Sequence, residues 1–327
     1  MRSATRARCT RRACRSVQAP RRTRAAARRC RWLSSREYDG AVRETVVLLH
    51  GFGGTHRTWD GVAARLDPER YRPLALDLPG HGREAAARPI TFARCVAGVL
   101  AEAPGRFVLC GYSLGGRIAL HVALAAPQRV TALVLIACSA GIEDEAERAE
   151  RRRSDGALVK QLRSAPFEQF IERWRMQPLF AGDPPHVGEL VREDQRRNRP
   201  EALAAALRGV GAGEMRPLWR RLGELAMPAA VLVGDRDRKY HALGRRMVRL
   251  LPHAQLLLLA GGHRLPLENP AAVARALERV HPEARRRGDG DPSPARGQLV
   301  LDAREQPQRR QPAVGEGTLG RERGRRV

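Results

Sequence analysis

A serine in a sharp-turn sequence is the first residue here that could carry chemistry. The pentapeptide Gly111-Tyr112-Ser113-Leu114-Gly115 follows an apolar run and precedes a helix-like segment. Strand, tight turn and helix are the context in which a G-x-S-x-G turn exposes its serine hydroxyl as a nucleophile or base. The backbone N–H of Leu114 is then free at a helix N-terminus, where it can stabilise an oxyanion. The alternative is a Gly-Ser turn without chemistry.

An acid and a base follow this serine in the chain, each directly after a predicted strand. In G-x-S-x-G folds the order is serine, then acid, then histidine, and Ser113, Asp237 and His263 have that order. Asp235 is the competing acid. We favour Asp237 because the acid usually lies three residues after the glycine that ends the strand. These residues predict a catalytic triad in which aspartate orients the histidine that takes the serine proton.

A glycine-rich loop supplies the second candidate oxyanion donor. His50-Gly51-Phe52-Gly53-Gly54 follows a strand-like run and lacks both the P-loop lysine and dinucleotide-binding spacing. The N–H of Phe52 is therefore the expected partner of Leu114 in an oxyanion hole. His81, in the next such loop, is interpreted as a residue that orders the loop rather than as a catalyst.

The elements that must position these residues alternate between strands and helices. Apolar runs predict strands at residues 45–49, 71–76, 107–110, 130–137, 229–233 and 254–259, with helices at 58–66, 91–101, 118–126 and 269–280. This alternation predicts an α/β fold with a mostly parallel sheet and helices on both faces. Functional residues should gather at the carboxyl ends of its strands. Charged helical segments over about 141–219 predict an inserted helical cap.

The ends of the chain differ in composition from its centre. The 327 residues carry a formal charge of +25, and residues 1–43 contain fourteen arginines against Glu37 and Asp39. We predict a disordered basic tail at 1–31, an α/β-hydrolase domain at 32–281 and a disordered tail at 282–327. The first tail is a translated upstream region, a transit peptide or a basic binding segment. Because the charge is concentrated there, and aromatic residues are few, a nucleic-acid partner is not expected.

Other function classes lack a signal in this sequence. The six cysteines have no metal-ligand spacing, and no apolar run is long enough for a membrane span. We predict no cofactor, no metal and no membrane span. The expected location is cytoplasmic, or an organelle if residues 1–31 are a transit peptide. The sequence does not indicate an oligomeric state.

Beyond single motifs, the chain resembles the α/β-hydrolase superfamily from about residue 32 to residue 280. Within it, the chain is most similar to the synthases of 2-succinyl-6-hydroxy-2,4-cyclohexadiene-1-carboxylate (SHCHC) in menaquinone and phylloquinone biosynthesis. The more specific motifs are Gly111–Arg117, Trp174–Phe180, Arg148-x-x-Arg151-x-x-Ser154-Asp155, Gly211-Ala212-Gly213 with Pro217-Leu218-Trp219, and Gly234–Tyr240. One departure is Pro266, which stands where the family has a second histidine after His263.

The resemblance implies a lyase that eliminates pyruvate from 2-succinyl-5-enolpyruvyl-6-hydroxy-3-cyclohexene-1-carboxylate. It implies that Ser113, activated by His263, removes a carbon-bound proton while Phe52 and Leu114 hold the enolate-like oxygen. A substrate with several carboxylates needs fixed cations, and arginine binds carboxylate in a bidentate way. The substrate-binding residues implied are Tyr112, Arg117, Arg151, Trp174, Arg196 and Lys239. Arg148 and Arg197 are alternatives for the cap arginines.

Three alternative functions remain compatible with the sequence. The first is a carboxylester or C–C bond hydrolase on the same scaffold, whose neutral substrate would not need Arg117. The second is a non-catalytic binding protein of the same fold, which an intact triad disfavours. The third is a basic RNA-associated protein, which removal of residues 1–43 would test.

Overall fold

The computed structural model describes residues 43–280 and the backbone of residues 299–300. The tail predicted at 1–31 and most of the tail predicted at 282–327 lie outside these residues. Six strands of six or seven residues follow the predicted apolar runs closely. Their bounds are β1 Glu44–Leu49, β2 Tyr71–Leu76, β3 Phe107–Tyr112, β4 Val130–Ile136, β5 Ala229–Gly234 and β6 Ala254–Leu259.

All pairs of neighbouring strands are parallel, as the alternation of strands and helices predicts. The order across the sheet is β2-β1-β3-β4-β5-β6, followed by a two-residue strand, β7 (Leu299–Val300). The central strands are buried along their whole length, because helices cover both faces of a parallel sheet. The carboxyl ends of β1, β3, β5 and β6 therefore share one edge, which brings together residues that are distant in the sequence.

The last strand, β7 (Leu299–Val300), departs from the predicted C-terminal tail. It pairs in parallel with Leu257 and Leu258 of β6. Two apolar residues are too short a run to show strand periodicity in a polar segment. Their pairing depends on the free edge of β6, which is formed far away in the sequence.

Helices complete the layers on either side of the sheet. The core on one face includes α2 (Phe92–Glu102), α3 (Leu114–Ala125) and α8 (Arg238–Leu250). On the other face lie α1 (Asp60–Ala63) and α10 (Pro270–Val280), with α9 (Leu265–Glu268) beside them. The helix predicted at 58–66 is instead a 3₁₀ turn, His56–Trp59, followed by the single turn of α1.

Four helices between β4 and β5 form the cap. They are α4 (Glu145–Ser164), α5 (Phe167–Arg175), α6 (Pro185–Gln195) and α7 (Pro200–Val210). Apolar side chains of α4, α5 and α7 form a core of their own, which is separate from the two cores of the sheet. The cap is therefore a small packed layer rather than an irregular loop. Within the part of the chain described here, no helix is long and apolar enough to cross a membrane.

Candidate active site

Ser113 lies at a strained turn between β3 and α3. Its backbone has φ 53° and ψ −107°, a conformation that costs energy in any residue other than glycine. The turn is tight because glycines flank it. A Cβ on Gly111 would lie 2.3 Å from the carbonyl oxygen of Gly115, and one on Gly115 would lie 2.1 Å from that of Leu49. The turn holds the Ser113 hydroxyl at the carboxyl edge of the sheet, as a nucleophile elbow requires.

His263 and Asp237 meet Ser113 at this edge. The Nε2 atom of His263 is 3.3 Å from the Ser113 Oγ, and its Nδ1 is 2.7 Å from an Asp237 carboxylate oxygen. The side chains of His263 and Asp237 are each only 3% exposed. The other Asp237 oxygen accepts the N–H of Tyr240 at 3.2 Å and caps α8. A carboxylate at Nδ1 favours a proton there and leaves Nε2 free to accept the serine proton.

The structure separates the two candidate acids. Asp235 accepts a hydrogen bond from the N–H of Gly261 at 3.0 Å, so its carboxylate holds the loop that precedes the histidine. Only Asp237 contacts His263.

Glu268, which the sequence reasoning did not single out, fixes the histidine loop from the other side. Its side chain is 3% exposed. Its two carboxylate oxygens accept the N–H groups of Gly262 at 2.8 Å and Arg264 at 3.0 Å, the residues on either side of His263. The histidine is therefore held through its own backbone as well as by Asp237.

The two candidate oxyanion donors line the same cavity as Ser113. Leu114 is the first residue of α3, so its N–H has no partner within the helix. The next N–H, of Gly115, donates to the carbonyl oxygen of His50 at 3.0 Å and joins the elbow to the loop that contains Phe52. The His50 Nε2 accepts the Leu78 N–H at 3.0 Å, which holds this loop against the one after β2.

Two cap residues also hold the Phe52 loop. Asp194 accepts the N–H of Thr55 at 2.8 Å. Asn198 donates to the carbonyl oxygen of Gly53 at 2.9 Å and accepts the N–H of Gly82 at 2.9 Å. Both side chains are buried. The cap therefore contributes directly to the shape of the candidate oxyanion hole.

A cavity of about 590 Å³ lies between the sheet edge and the cap. This volume is typical of a site for a small organic ligand. Five of the six predicted substrate-binding residues line it: Tyr112, Arg117, Arg151, Trp174 and Lys239. The Trp174 ring packs over Phe52 with 5.0 Å between ring centroids, so the cap covers the oxyanion side of the cavity.

Arg117 lies one helical turn beyond Ser113 on α3. Its Nη1 donates to the carbonyl oxygen of Val210, at the end of α7, over 3.1 Å. Burial lowers the pKa of Arg117 to about 10, so the side chain stays charged at neutral pH. Arg151, on the cap, is oriented by an ion pair of 2.8 Å with Asp155. The cavity thus contains a partly buried cation beside Ser113.

The structure does not bring Arg196 to the cavity. It is exposed and makes two hydrogen bonds of 2.8 Å with Glu168 on the outside of the cap. Neither alternative, Arg148 or Arg197, lines the cavity either. The adjacent Gln195 does line it, is 3% exposed, and its Oε1 has no partner within the described part of the chain.

The signal for Gln195 was the helical phase of α6. Val187 and Val191 are its buried apolar positions, and Gln195 continues that series at intervals of four. Arg196 is one residue further along, which turns it by about 100° away from the buried face. The resemblance alone placed an arginine in this segment without fixing its phase.

The comparisons with known proteins agree with this geometry. The sequence profile described as the alpha/beta hydrolase family matches residues 46–276. The chain belongs to the alpha/beta hydrolase family. It is 32% identical to the SHCHC synthase of Salmonella paratyphi C (strain RKS4594) over 240 residues, which is 72% of this chain and 93% of that protein. The resemblance inferred from the motifs is confirmed.

Two solved structures are similar to this chain in fold and sequence. The structure of MenH from S. aureus has a TM-score of 0.67 and 29% identity, covering 72% of this chain and 92% of its own. A thermophilic esterase from Thermogutta terrifontis has a TM-score of 0.60 and 25% identity, covering 74% and 92%. The α/β-hydrolase fold predicted from the sequence is confirmed, and the family includes enzymes of more than one reaction type.

Acid should destabilise the protein through His81, which packs beside the oxyanion loop. Burial, reinforced by the neighbouring His50, lowers the pKa of His81 to about 3, and its ring centroid is 5.5 Å from that of Phe52. Below pH 6.5 the unfolded chain protonates this histidine and the folded chain does not. Stability is therefore lost as the pH falls, by about 1.4 kcal/mol per pH unit from this residue.

Denaturant unfolding of the wild type and His81→Phe between pH 7 and pH 4 measures this effect. The difference in unfolding free energy between the two proteins should change with that slope below about pH 6, with the wild type losing more. Parallel pH profiles would show that His81 does not stay neutral in the folded protein.

Proposed function

We propose that this enzyme is an SHCHC synthase that eliminates pyruvate from 2-succinyl-5-enolpyruvyl-6-hydroxy-3-cyclohexene-1-carboxylate. The observation that carries the proposal is the partly buried, charged Arg117 in the cavity beside Ser113. A carboxylate-rich substrate uses such a cation, and a neutral ester does not. The similarity to curated SHCHC synthases along nearly their whole length supports the same reaction.

The elimination begins with a proton on carbon. The substrate has a ring double bond at C3 and the product has ring double bonds at C2 and C4, so the proton that leaves is the one on C2. Ser113 accepts it as His263 takes the serine proton through Nε2, 3.3 Å from the Ser113 Oγ. Asp237 stabilises the positive charge that forms on the imidazole.

The electrons released at C2 expel the pyruvate unit. They form the C2=C3 bond, the C3=C4 pair moves to C4=C5, and the C5–O bond breaks with its pair on oxygen. The enolpyruvate released takes up a proton on carbon and becomes pyruvate, so His263 can return the proton it holds. Neither water nor an acyl-enzyme takes part in this sequence.

The oxyanion hole lowers the energy of the intermediate charge. C2 is bonded to the ketone of the succinyl group, so the carbanion is delocalised as an enolate on that oxygen. The N–H groups of Phe52 and Leu114 would bind it, and such donors matter most where water is excluded. Tyr112, Arg117, Arg151, Trp174 and Lys239 would bind the rest of the substrate, and Arg117 would hold a carboxylate.

A direct comparison of two reactions tests the proposal. We expect the purified protein to release pyruvate from the enolpyruvyl substrate, followed with lactate dehydrogenase, and to hydrolyse a short-chain nitrophenyl ester far more slowly. Ser113→Ala is the control for activity that does not come from this site. Rapid ester hydrolysis without pyruvate release would instead favour a carboxylester hydrolase, the alternative that the esterase neighbour keeps open.

The remaining proposals concern the context of the enzyme. We propose that residues 32–281 form the catalytic domain, with the tails at 1–31 and 282–327 outside it. We also propose a cytoplasmic location, with an organelle as the alternative if residues 1–31 are a transit peptide.

A further inference from the structure

Arg264 is a buried cation in the cavity wall, and it follows His263 directly. It is 4% exposed, yet it lines the cavity. Its guanidinium carbon lies 3.8 Å from the ring centroid of Phe180, a cap residue, and its Nη1 is 2.5 Å from a carboxylate oxygen of Asp183. Two residues further along, Pro266 stands where the family has a second histidine. Pro266 is the second residue of α9 and has no donor to offer a ligand.

The guanidinium of Arg264 has donors to spare. Of its three nitrogens, only Nη1 has a hydrogen-bond partner among the described side chains and backbone. The Nε and Nη2 atoms have no such partner and are not fully enclosed by protein atoms. Since Arg264 lines the cavity, we expect a ligand bound there to reach them. A guanidinium carries five donors in a planar fork that suits two carboxylate oxygens.

Asp183 accepts a hydrogen bond from only one nitrogen of this guanidinium. Its contact with Arg264 is monodentate, through one carboxylate oxygen. Burial raises the pKa of Asp183 above its ordinary value, although Arg264 opposes this. Because Arg264 is only 4% exposed, its remaining donors have little contact with water, and a poorly solvated donor without a partner costs free energy. A second carboxylate arriving from the cavity would complete the pairing.

The two cations belong to different parts of the sheet edge. Arg117 is on α3, which follows β3, whereas Arg264 follows β6, and β4 and β5 lie between these two strands in the sheet. The cavity therefore has two cationic sites, one on the α3 side of Ser113 and one on the histidine side. A ligand with carboxylates at two ends matches this arrangement better than a ligand with one.

We propose that Arg264 is a specificity-determining residue that binds a second substrate carboxylate on the histidine side of the cavity, with Asp183 holding its guanidinium ready. The proposal rests on the proposed function in so far as that function supplies a substrate with several carboxylates. The Arg264 proposal extends that function by assigning a substrate-binding residue that the family resemblance did not supply. Arg117 and Arg264 would then fix the two ends of the substrate, with the scissile region between them at Ser113 and His263.

The alternative is that Arg264 only holds the cap loop in place and binds no substrate carboxylate. Arg264 and Arg236 both tie the same cap loop to the body of the protein, because Arg236 contacts the carbonyl oxygen of Gly182 at 3.4 Å. Arg236 also lines the cavity, but it is exposed and its charge is paired with Glu268. Arg236→Met is therefore a matched control that removes a cap contact while leaving the buried cation in place.

The test is a binding cycle with a stable ligand and its esters. The probe is 2-succinylbenzoate, an aromatic keto-diacid with the ring carboxylate and the succinyl carboxylate of the proposed product. Its two monomethyl esters each lack one of these charges. Affinities are measured by calorimetry for the wild type, Arg264→Met, Arg236→Met and Asp183→Asn. The double variant Arg264→Met/Asp183→Asn is included because it leaves no unpaired charge in the wall and so guards against misfolding of Arg264→Met.

We expect one of the two monoesters to bind the wild type about 10- to 100-fold more weakly than the diacid, as for a lost charge-assisted hydrogen bond. In Arg264→Met and in the double variant, that penalty should shrink to less than about twofold, because the partner of the missing charge is already gone. The penalty for the other monoester should persist. Arg236→Met should keep both penalties, and Asp183→Asn should bind the diacid at least as tightly as the wild type.

The proposal would be overturned if both Arg264 variants kept the monoester penalties of the wild type. It would also be overturned if Arg236→Met lost the same monoester penalty as Arg264→Met. Pyruvate release by the wild type is measured separately. If pyruvate is not released but the coupling to Arg264 is present, the proposed function fails and the carboxylate subsite stands. If pyruvate is released without the coupling, the subsite proposal alone is wrong.

Discussion

Replacing Ser113 with alanine should lower kcat/KM for pyruvate release by about 10²- to 10⁴-fold, the range that a positioned general base contributes. His263→Ala should cost about as much, because the two residues act on the same proton. The fold should persist, since both side chains line the cavity at the edge of the sheet. Kinetics with the enolpyruvyl substrate measure the loss, and thermal melts of each variant check the fold. Turnover near the wild-type level in Ser113→Ala would remove this serine from the mechanism.

The acid of the triad is tested by two substitutions of equal size. Asp237→Asn keeps the shape of the side chain but no longer favours the proton on Nδ1 of His263, so we expect a loss of about 10²- to 10⁴-fold in kcat. Asp235→Asn is the matched control, because an amide oxygen can still accept the N–H of Gly261. Its activity should stay within a few-fold of the wild type. The reverse outcome would identify Asp235 as the acid.

Arg117→Ala should produce the second large loss, and only for a charged substrate. If its guanidinium binds a carboxylate beside Ser113, truncation leaves that charge unpaired in a partly desolvated cavity, at a cost of about 2–5 kcal/mol. This corresponds to about a thirtyfold or greater fall in kcat/KM for pyruvate release. Arg117→Lys should recover part of the loss, because an ammonium group lacks the planar fork.

Two comparisons isolate the charge effect at Arg117. Hydrolysis of a small neutral ester by the same variants should change far less than pyruvate release. Arg196→Ala removes an arginine that faces solvent and pairs with Glu168 outside the cavity, so it should remain within about twofold of the wild type. Equal losses on both substrates in Arg117→Ala would indicate damage to the helix that bears Ser113, not a lost carboxylate contact.

The sequence predicts a feature well when the residues that cause it are close together in the chain. The strands are buried apolar runs, and Ser113, Asp237 and His263 each follow one, so their meeting at a sheet edge follows from parallel topology alone. The preference for Asp237 over Asp235 used only its spacing from Gly234, at the end of the strand. In the structure Asp237 contacts His263, and Asp235 contacts Gly261.

The features that the sequence could not supply depend on contacts between distant elements. The apolar positions of α6 indicate which of Gln195 and Arg196 is buried, but only the packing of α6 on the Phe52 loop places that face at the cavity. The strand Leu299–Val300 needs an open edge that β6 provides. The role of Arg264 needs Asp183 and Phe180, both from the cap. In each case the decisive neighbour is far away in the chain, and residue type alone does not select it.

The hydrogen bonds that join Asp194 and Asn198 to the Phe52 loop limit how freely this enzyme can be re-engineered. An insertion between two strands looks like an interchangeable module, one that could be exchanged between relatives to alter substrate choice. Here the module also carries two of the supports that hold Gly53 and Thr55 in place. A chimera that receives a foreign cap without an aspartate and an asparagine at these positions would lose part of its catalytic apparatus along with its old specificity. Recombination of such proteins should therefore succeed at boundaries that keep α6 and the segment up to residue 198 together with the first βα loop.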